Sequence, residues 1–181
     1  NYSRALAVLG DGPVFDILPI KPVDVGILVT GTEVFQGLIE DKFHPVIASK
    51  VETFGCRVVQ SRVVPDDRRE IEKSVRAMLG EGVDLLVTTA GLSVDPDDVT
   101  RQGLIDAGLP GAMTLVGRIG STRLIGVPAC ALYAKVTSFD LLLPRILAGI
   151  DITRQMLVDF ADGGFCLNCR SCTFPKCPFG K

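Results

Sequence analysis

Three short segments combine small residues, hydroxyls and carboxylates in a pattern that could hold an anion with the help of a cation. They are Thr30-Gly31-Thr32-Glu33, Pro65-Asp66-Asp67 and Thr88-Thr89-Ala90-Gly91. Glycine lets backbone N–H groups come close to a phosphate. The hydroxyls of Thr30, Thr32, Thr88, Thr89 and Ser93 can add hydrogen bonds. Carboxylates at Glu33, Asp41, Asp66, Asp95, Asp97 and Asp98 suit Mg²⁺, which takes one or two carboxylates and fills its octahedron with water and substrate oxygens. The same residue types also make turns and start helices, so composition alone leaves both roles open.

A second chemistry sits at the other end of the chain. Cys166, Cys169, Cys172 and Cys177 follow the spacing C-x2-C-x2-C-x4-C, with Pro178 next. Bacterial ferredoxins use a C-x2-C-x2-C-x3-C-P run for iron–sulfur clusters. Four thiolates also suit a closed tetrahedral Zn²⁺ site, although zinc ligands more often come as two separated pairs. The evenly spaced triple leans toward a [4Fe–4S] cluster, with Zn²⁺ or free and disulfide-linked thiols as the alternatives. A tail this short has no core of its own, so a metal would have to order it. The single histidine, His44, stands before Pro45 at an expected helix start and has no nucleophile pattern around it. Lys42 beside it is expected to be solvated.

The segments lie between elements of alternating type. Val23–Thr30, Arg57–Val64 and Val83–Thr89 are short β-branched runs that end in polar or glycine loops. Amphipathic helical spacing follows the first two: Ile47, Val51 and Phe54, then Ile71, Val75, Met78 and Leu79. A helix is expected over 98–107, a strand pair over 113–119 and 123–127, a long apolar helix over 131–148, and a last one over 152–160. Apolar strands alternating with amphipathic helices predict an α/β three-layer sandwich with a mostly parallel sheet. In such sheets ligands bind beyond the carboxyl ends of the strands, where all three polar segments would fall.

Composition narrows the class. The chain has 181 residues, 47% hydrophobic and 22% charged, with a net charge of −2. That excludes a disordered chain and argues against a general nucleic-acid binder. No apolar run approaches the roughly 20 residues of a membrane span. With 9 Phe, 2 Tyr and no Trp, the core must rest on Val, Leu and Ile. Cys clustered in one tail, with no leader pattern visible, fits a reducing, cytoplasmic setting. Cys56 and Cys130 are expected to belong to the domain as small core residues. Four parts are expected: 1–22 as a linker or the remnant of an upstream domain, 23–149 as the main domain, 150–165 as a helix and linker, and 166–181 as a metal-binding tail.

The order Thr30-Gly31-Thr32-Glu33-Val34, Pro65-Asp66-Asp67, Thr88-Thr89-Ala90-Gly91-Leu92-Ser93 and Asp97-Asp98-Val99-Thr100 resembles the molybdenum-cofactor biosynthesis domain. This is the molybdopterin-binding fold of molybdopterin adenylyltransferases and molybdenumtransferases. The resemblance runs over about 23–149 and implies the three-layer sandwich. It implies molybdopterin or the molybdenum cofactor as ligand. Mg²⁺ would be positioned by Asp66 and Asp98 as catalytic acids. The cofactor-binding residues it implies are Thr30, Gly31, Thr32, Glu33, Asp41, Thr88, Thr89, Gly91, Ser93, Pro128 and Cys130. The implied activity is adenylyl transfer or molybdate insertion. It further implies a homo-oligomer (trimer or dimer) and a molybdenum or tungsten enzyme as client, while charge and the short apolar runs lead to the expectation of no nucleic acid and no membrane partner.

Several positions depart from the family pattern. Ala90 replaces a glycine, Val94-Asp95 replaces the glycine after the serine, and Gly126-Val127-Pro128-Ala129-Cys130-Ala131 stands where the family has LPGNP. Cys130 could be a core thiol or face the pterin dithiolene. The departures favour a second expectation, a non-catalytic cofactor-binding or sensing module whose Cys tail is a metal or redox element. The run from Leu92 to Thr100 also resembles the competence-damage-inducible family, which uses the same domain to hydrolyse nucleotide pyrophosphates. Its Asp-Asp-x-Thr is present and its Gly-Pro-Thr is not.

Overall fold

The structure is a computed structural model that describes residues 2–9, 16–89, 99–107, 116–127, 129–162 and 169–179. Strands β1 (Asp24–Thr30), β2 (Arg57–Val64), β3 (Leu85–Thr89), β4 (Val116–Ile119) and β5 (Thr122–Val127) form one sheet in the order β2-β1-β3-β5-β4. The first four in that order are parallel, and β4 closes one edge antiparallel to β5. Their crossovers are the helices α3 (Phe43–Glu52), α4 (Arg68–Gly80) and α5 (Val99–Asp106). Before them stand α1 (Tyr2–Leu9) and the single turn α2 (Thr32–Phe35), and after them α6 (Ser138–Leu147) and α7 (Arg154–Asp162).

A parallel sheet covered on both faces needs strands that are apolar on both sides, and Val25, Ile27, Leu28 and Val29 of β1 are all 0% exposed. Alternation then divides them between two cores. Val25, Ile27 and Val29 join Leu85, Val87, Ile125 and Val127 against Ile47 and Val51 of α3 and Phe139, Leu142, Leu143 and Ile146 of α6. Leu28, Leu86 and Leu124 face Ile71, Val75 and Met78 of α4 and Leu104 of α5. This is the three-layer α/β sandwich expected from the sequence. Cys56 is buried in the first core, as expected.

One expectation is corrected. The expected long helix over 131–148 is interrupted: Ala129–Leu132 is a 3₁₀ turn and α6 begins only at Ser138. The cause is a capping box. Thr137 Oγ1 accepts from the Phe139 N–H, and Asp140 Oδ2 accepts from the Thr137 N–H at 2.7 Å. Leu132, Val136 and Phe139 stand four and three residues apart and the last two are buried, so their spacing mimicked one helix although they lie on two elements and a bend. The segment 1–22, expected as a linker or the remnant of an upstream domain, contains α1, which is compatible with either, and Lys21 N–H donates to Leu147 O at 3.1 Å, tying its far end to the close of α6.

Polar clamps hold α4 and α5 together beside the second core. Arg68 pairs with Asp106 through the Nε and Nη2 of one guanidinium edge, its Nη2 donating to Oδ1 at 2.8 Å. That hydrogen bond holds the Asp106 carboxyl below its ordinary range. Gly103 of α5 packs so close to α4 that a Cβ there would stand 2.7 Å from Ile71 Cγ2 and 3.0 Å from the Arg68 carbonyl oxygen.

Candidate functional site

Strand register sets the candidate edge. Thr30 pairs with Val64, Val29 with Thr89, and Thr89 with Val127. The last residues of β1, β2, β3 and β5 therefore form a row, and the chain leaves all four strands at one end of the sheet. The sequence placed the polar segments at such an edge, and the topology does so for those that are described.

The first two loops are fastened to each other. Thr32 N–H donates to Asp66 Oδ2 at 3.0 Å, Thr32 Oγ1 reaches the same oxygen at 3.4 Å, and Asp66 N–H donates back to Thr32 Oγ1 at 3.2 Å. Gly31 N–H donates to Val64 O at 3.0 Å, which carries the β1–β2 ladder into the loop. Gly31 has φ 155° and ψ 120°, a backbone region open chiefly to glycine. Asp67 then caps α4, its Oδ1 accepting from the N–H groups of Arg69 and Glu70. The two acids of Pro65-Asp66-Asp67 thus divide their work: Asp67 starts a helix, and Asp66 faces the neighbouring loop. Asp66 is exposed, and its Oδ1 has no hydrogen-bond partner among the described residues.

Beneath these loops lies a buried hydroxyl layer. Thr30 Oγ1 donates to Thr89 O at 2.8 Å and accepts from Thr100 Oγ1 at 3.0 Å. Thr88 and Thr89 are 0% exposed, and neither Oγ1 has a partner among the described residues. A buried hydroxyl without a partner costs about 1–3 kcal/mol, so each is a place where a polar ligand atom or an ordered water would be favoured. Thr100, also 0% exposed, was not singled out as a site residue in the sequence. The Asp-Asp-x-Thr run that contains it was the available signal.

Other candidates fall differently. Glu33 is exposed in the first turn of α2. Asp41 Oδ1 accepts from the N–H groups of Phe43 (2.9 Å) and His44 (3.1 Å), so its carboxylate serves the head of α3. Gly91, Ser93, Asp98 and Pro128 lie outside the described residues, as does the side chain of Cys130, whose backbone is in the 3₁₀ turn. In the tail, Cys166 lies outside them too. Cys169 and Cys172 are exposed, Cys177 is half-buried, and all three are free thiols. Among the described residues no three His, Cys, Asp or Glu side chains are gathered as around a metal ion, and no helix is long and apolar enough to cross a membrane.

Comparison with known proteins follows the same ground. A "CinA-like protein" of Mycobacterium sp. (strain JLS) is 40% identical over 75 residues, which is 41% of this chain and 18% of that protein. A CinA-like protein of Mycolicibacterium vanbaalenii is 31% identical over 118 residues, 60% of this chain and 28% of that protein. The chain therefore spans less than a third of the length of these curated relatives. Among solved structures, the molybdopterin biosynthesis enzyme MoaB of Thermus thermophilus superposes with a TM-score of 0.58 at 24% identity, covering 70% of this chain and 97% of that one. CinA of Thermoplasma acidophilum, described as of unknown function, gives 0.57 at 17%, covering 67% and 98%. Both establish the fold. The family described as "Probable molybdopterin binding domain" matches residues 26–148, well over half of the chain, and the chain belongs to that family.

Proposed function

We propose that this chain binds the phosphate of a molybdopterin-type pterin at the carboxyl edge of its sheet and serves the making or loading of the molybdenum cofactor by Mg²⁺-assisted adenylyl or molybdate transfer. The observation that carries this reading is the clasped edge, in which Thr32 holds Asp66 with one carboxylate oxygen spent and one left over. A hard oxygen donor beside two loop backbones fits Mg²⁺, which needs only one or two carboxylates. Asp66 and Asp98 would hold the ion, and bound there it would offset charge on phosphoryl oxygens. The chain's own residues do the positioning. Thr32 fixes the carboxylate of Asp66, Gly31 brings the backbone of the first loop near the ligand, and Thr88 and Thr89, on opposite faces of β3, would offer a hydroxyl from one face only. The net charge of −2 is compatible with this, because the donors are backbone groups and hydroxyls.

The CinA-like relatives favour a second reading, hydrolysis of a nucleotide pyrophosphate at the same edge. One assay separates the two. The full chain is incubated with Mg²⁺ and either molybdopterin plus ATP, adenylated molybdopterin plus molybdate, or a nucleotide pyrophosphate alone. Transfer in either pterin reaction, abolished in Asp98→Ala while pterin binding survives, is the expected result. Pterin binding without ATP- or molybdate-dependent turnover rejects the transferase and leaves a binding module. Hydrolysis of the nucleotide with no pterin binding establishes the second reading instead.

A further inference from the structure

We propose that the C-terminal tail is a four-thiolate metal centre, separate from the pterin edge, which becomes ordered when the metal binds. Cysteine is among the residues most often buried in proteins, and Cys56 behaves so, at 5% exposure in the core. Cys169, Cys172 and Cys177 do the opposite: none belongs to either apolar core, two are exposed and all are free. Packing therefore does not account for them, and four thiols within twelve residues call for a chemical role.

The spacing and the local backbone supply one. Cys166, which enters through its sequence position alone, and Cys169 and Cys172 stand three residues apart in a single run. Beyond Cys172 the chain reverses: Lys176 N–H donates to Thr173 O at 2.7 Å, closing a four-residue turn over Thr173–Lys176. Cys172 and Cys177 are the residues that flank this turn, so the backbone doubles back between the third and fourth cysteines. No other hydrogen bond joins backbone groups within the described residues 169–179, and the three described thiols are not gathered about a point. A segment with so little of its own to hold it gains its order from the ligand, as small metal-binding modules do. Deprotonated thiolates are the ligand set of tetrahedral Zn²⁺ and of iron–sulfur clusters alike.

The test uses the full chain, produced and purified without oxygen, followed by metal, acid-labile sulfide and free-thiol analysis before and after reconstitution. Iron and sulfide in equal amounts with a visible charge-transfer band identify a cluster. One zinc per chain in a colourless protein identifies a zinc site. Either result supports the four-thiolate centre if Cys166→Ser, Cys169→Ser, Cys172→Ser and Cys177→Ser each lower metal retention by about tenfold or more and Cys56→Ala does not. Protease resistance of the tail should rise with metal and fall in the same four variants. A chain that stays metal-free after reconstitution with either metal, with four reactive tail thiols, overturns the proposal. So does metal that all four serine variants retain.

Discussion

Asp66 carries two separable duties. As a hydrogen-bond acceptor it fixes the Thr32 N–H and thereby joins the loops after β1 and β2. As a carboxylate it supplies charge and a free oxygen. Asp66→Asn keeps an acceptor and removes the charge, whereas Asp66→Ala removes both. The asparagine variant should change unfolding free energy by less than about 0.5 kcal/mol, as surface substitutions usually do. Its Mg²⁺-dependent turnover should fall by about 100-fold or more, the scale on which loss of one electrostatic contact at a reacting centre is felt. The alanine variant should lose the turnover and a further ~0.5–1.5 kcal/mol of stability for the broken hydrogen bonds. Denaturant melts beside steady-state rates measure both. An asparagine variant with full turnover would confine Asp66 to the clasp. Asp66 was visible in the sequence because it follows a strand and a proline. Asp41, equally acidic, was placed with it, and its Oδ1 accepts from the N–H groups of Phe43 and His44 at the start of α3. The two are told apart by which N–H groups lie within reach, and spacing along the chain does not encode that.

At the scale of elements, the contact between α4 and α5 turns on Gly103. Alanine is favoured over glycine within a helix by about 1 kcal/mol, so propensity alone predicts that Gly103→Ala is stabilising. Its Cβ would, however, stand 2.8 Å from Ile71 Cβ and 3.0 Å from a backbone oxygen, neither of which is the far end of a flexible side chain. Overpacking of this kind costs about 1–3 kcal/mol and should win, with a net loss of roughly 1 kcal/mol in chemical denaturation. Gly80→Ala, at the end of α4 with nothing within 4 Å of the new methyl, is the matched control and should be neutral or slightly stabilising. A Gly103→Ala protein as stable as the Gly80→Ala protein would mean that α5 slides freely on α4. The elements themselves were largely legible. The strand Arg57–Val64 coincides with its expected limits, because its β-branched residues at an edge of the sheet are bounded by Gly55 on one side and Pro65 on the other. The interruption before α6 was not, since apolar Leu132, Val136 and Phe139 give the period of a helix whether or not a helix joins them. The capping threonine Thr137 was the overlooked mark of the break. Gly103 was unreadable for a related reason: the sequence shows a glycine in a helix but not which backbone passes beside it.

For the whole molecule, the nearly balanced charge sets how a ligand should be held. With a net charge of −2 there is no strong field to draw an anion from a distance. The described candidate edge has one exposed carboxylate, Asp66, above the buried Thr88 and Thr89 hydroxyls, and under the proposed function a ligand phosphate would be held by short contacts there. Such contacts are screened little by salt, whereas exposed ion pairs fade beyond the Debye length of about 10 Å at 0.1 M. A ligand that binds only the folded chain stabilises it by about 2.7 kcal/mol at a concentration of roughly 100 times Kd. For a chain of this size that is about 5–10 °C in Tm, at roughly 2–4 °C per kcal/mol. The expected outcome is that molybdopterin with Mg²⁺ raises Tm by this amount, that chelating the Mg²⁺ removes part of the rise, and that moving from low to high salt leaves most of it. A rise that collapses with salt would assign the ligand to lysine and arginine side chains and away from the clasped edge. A rise with a nucleotide pyrophosphate and none with the pterin would keep the edge and exchange its ligand, because both carry the phosphate this arrangement is suited to hold and only the remainder of the molecule differs.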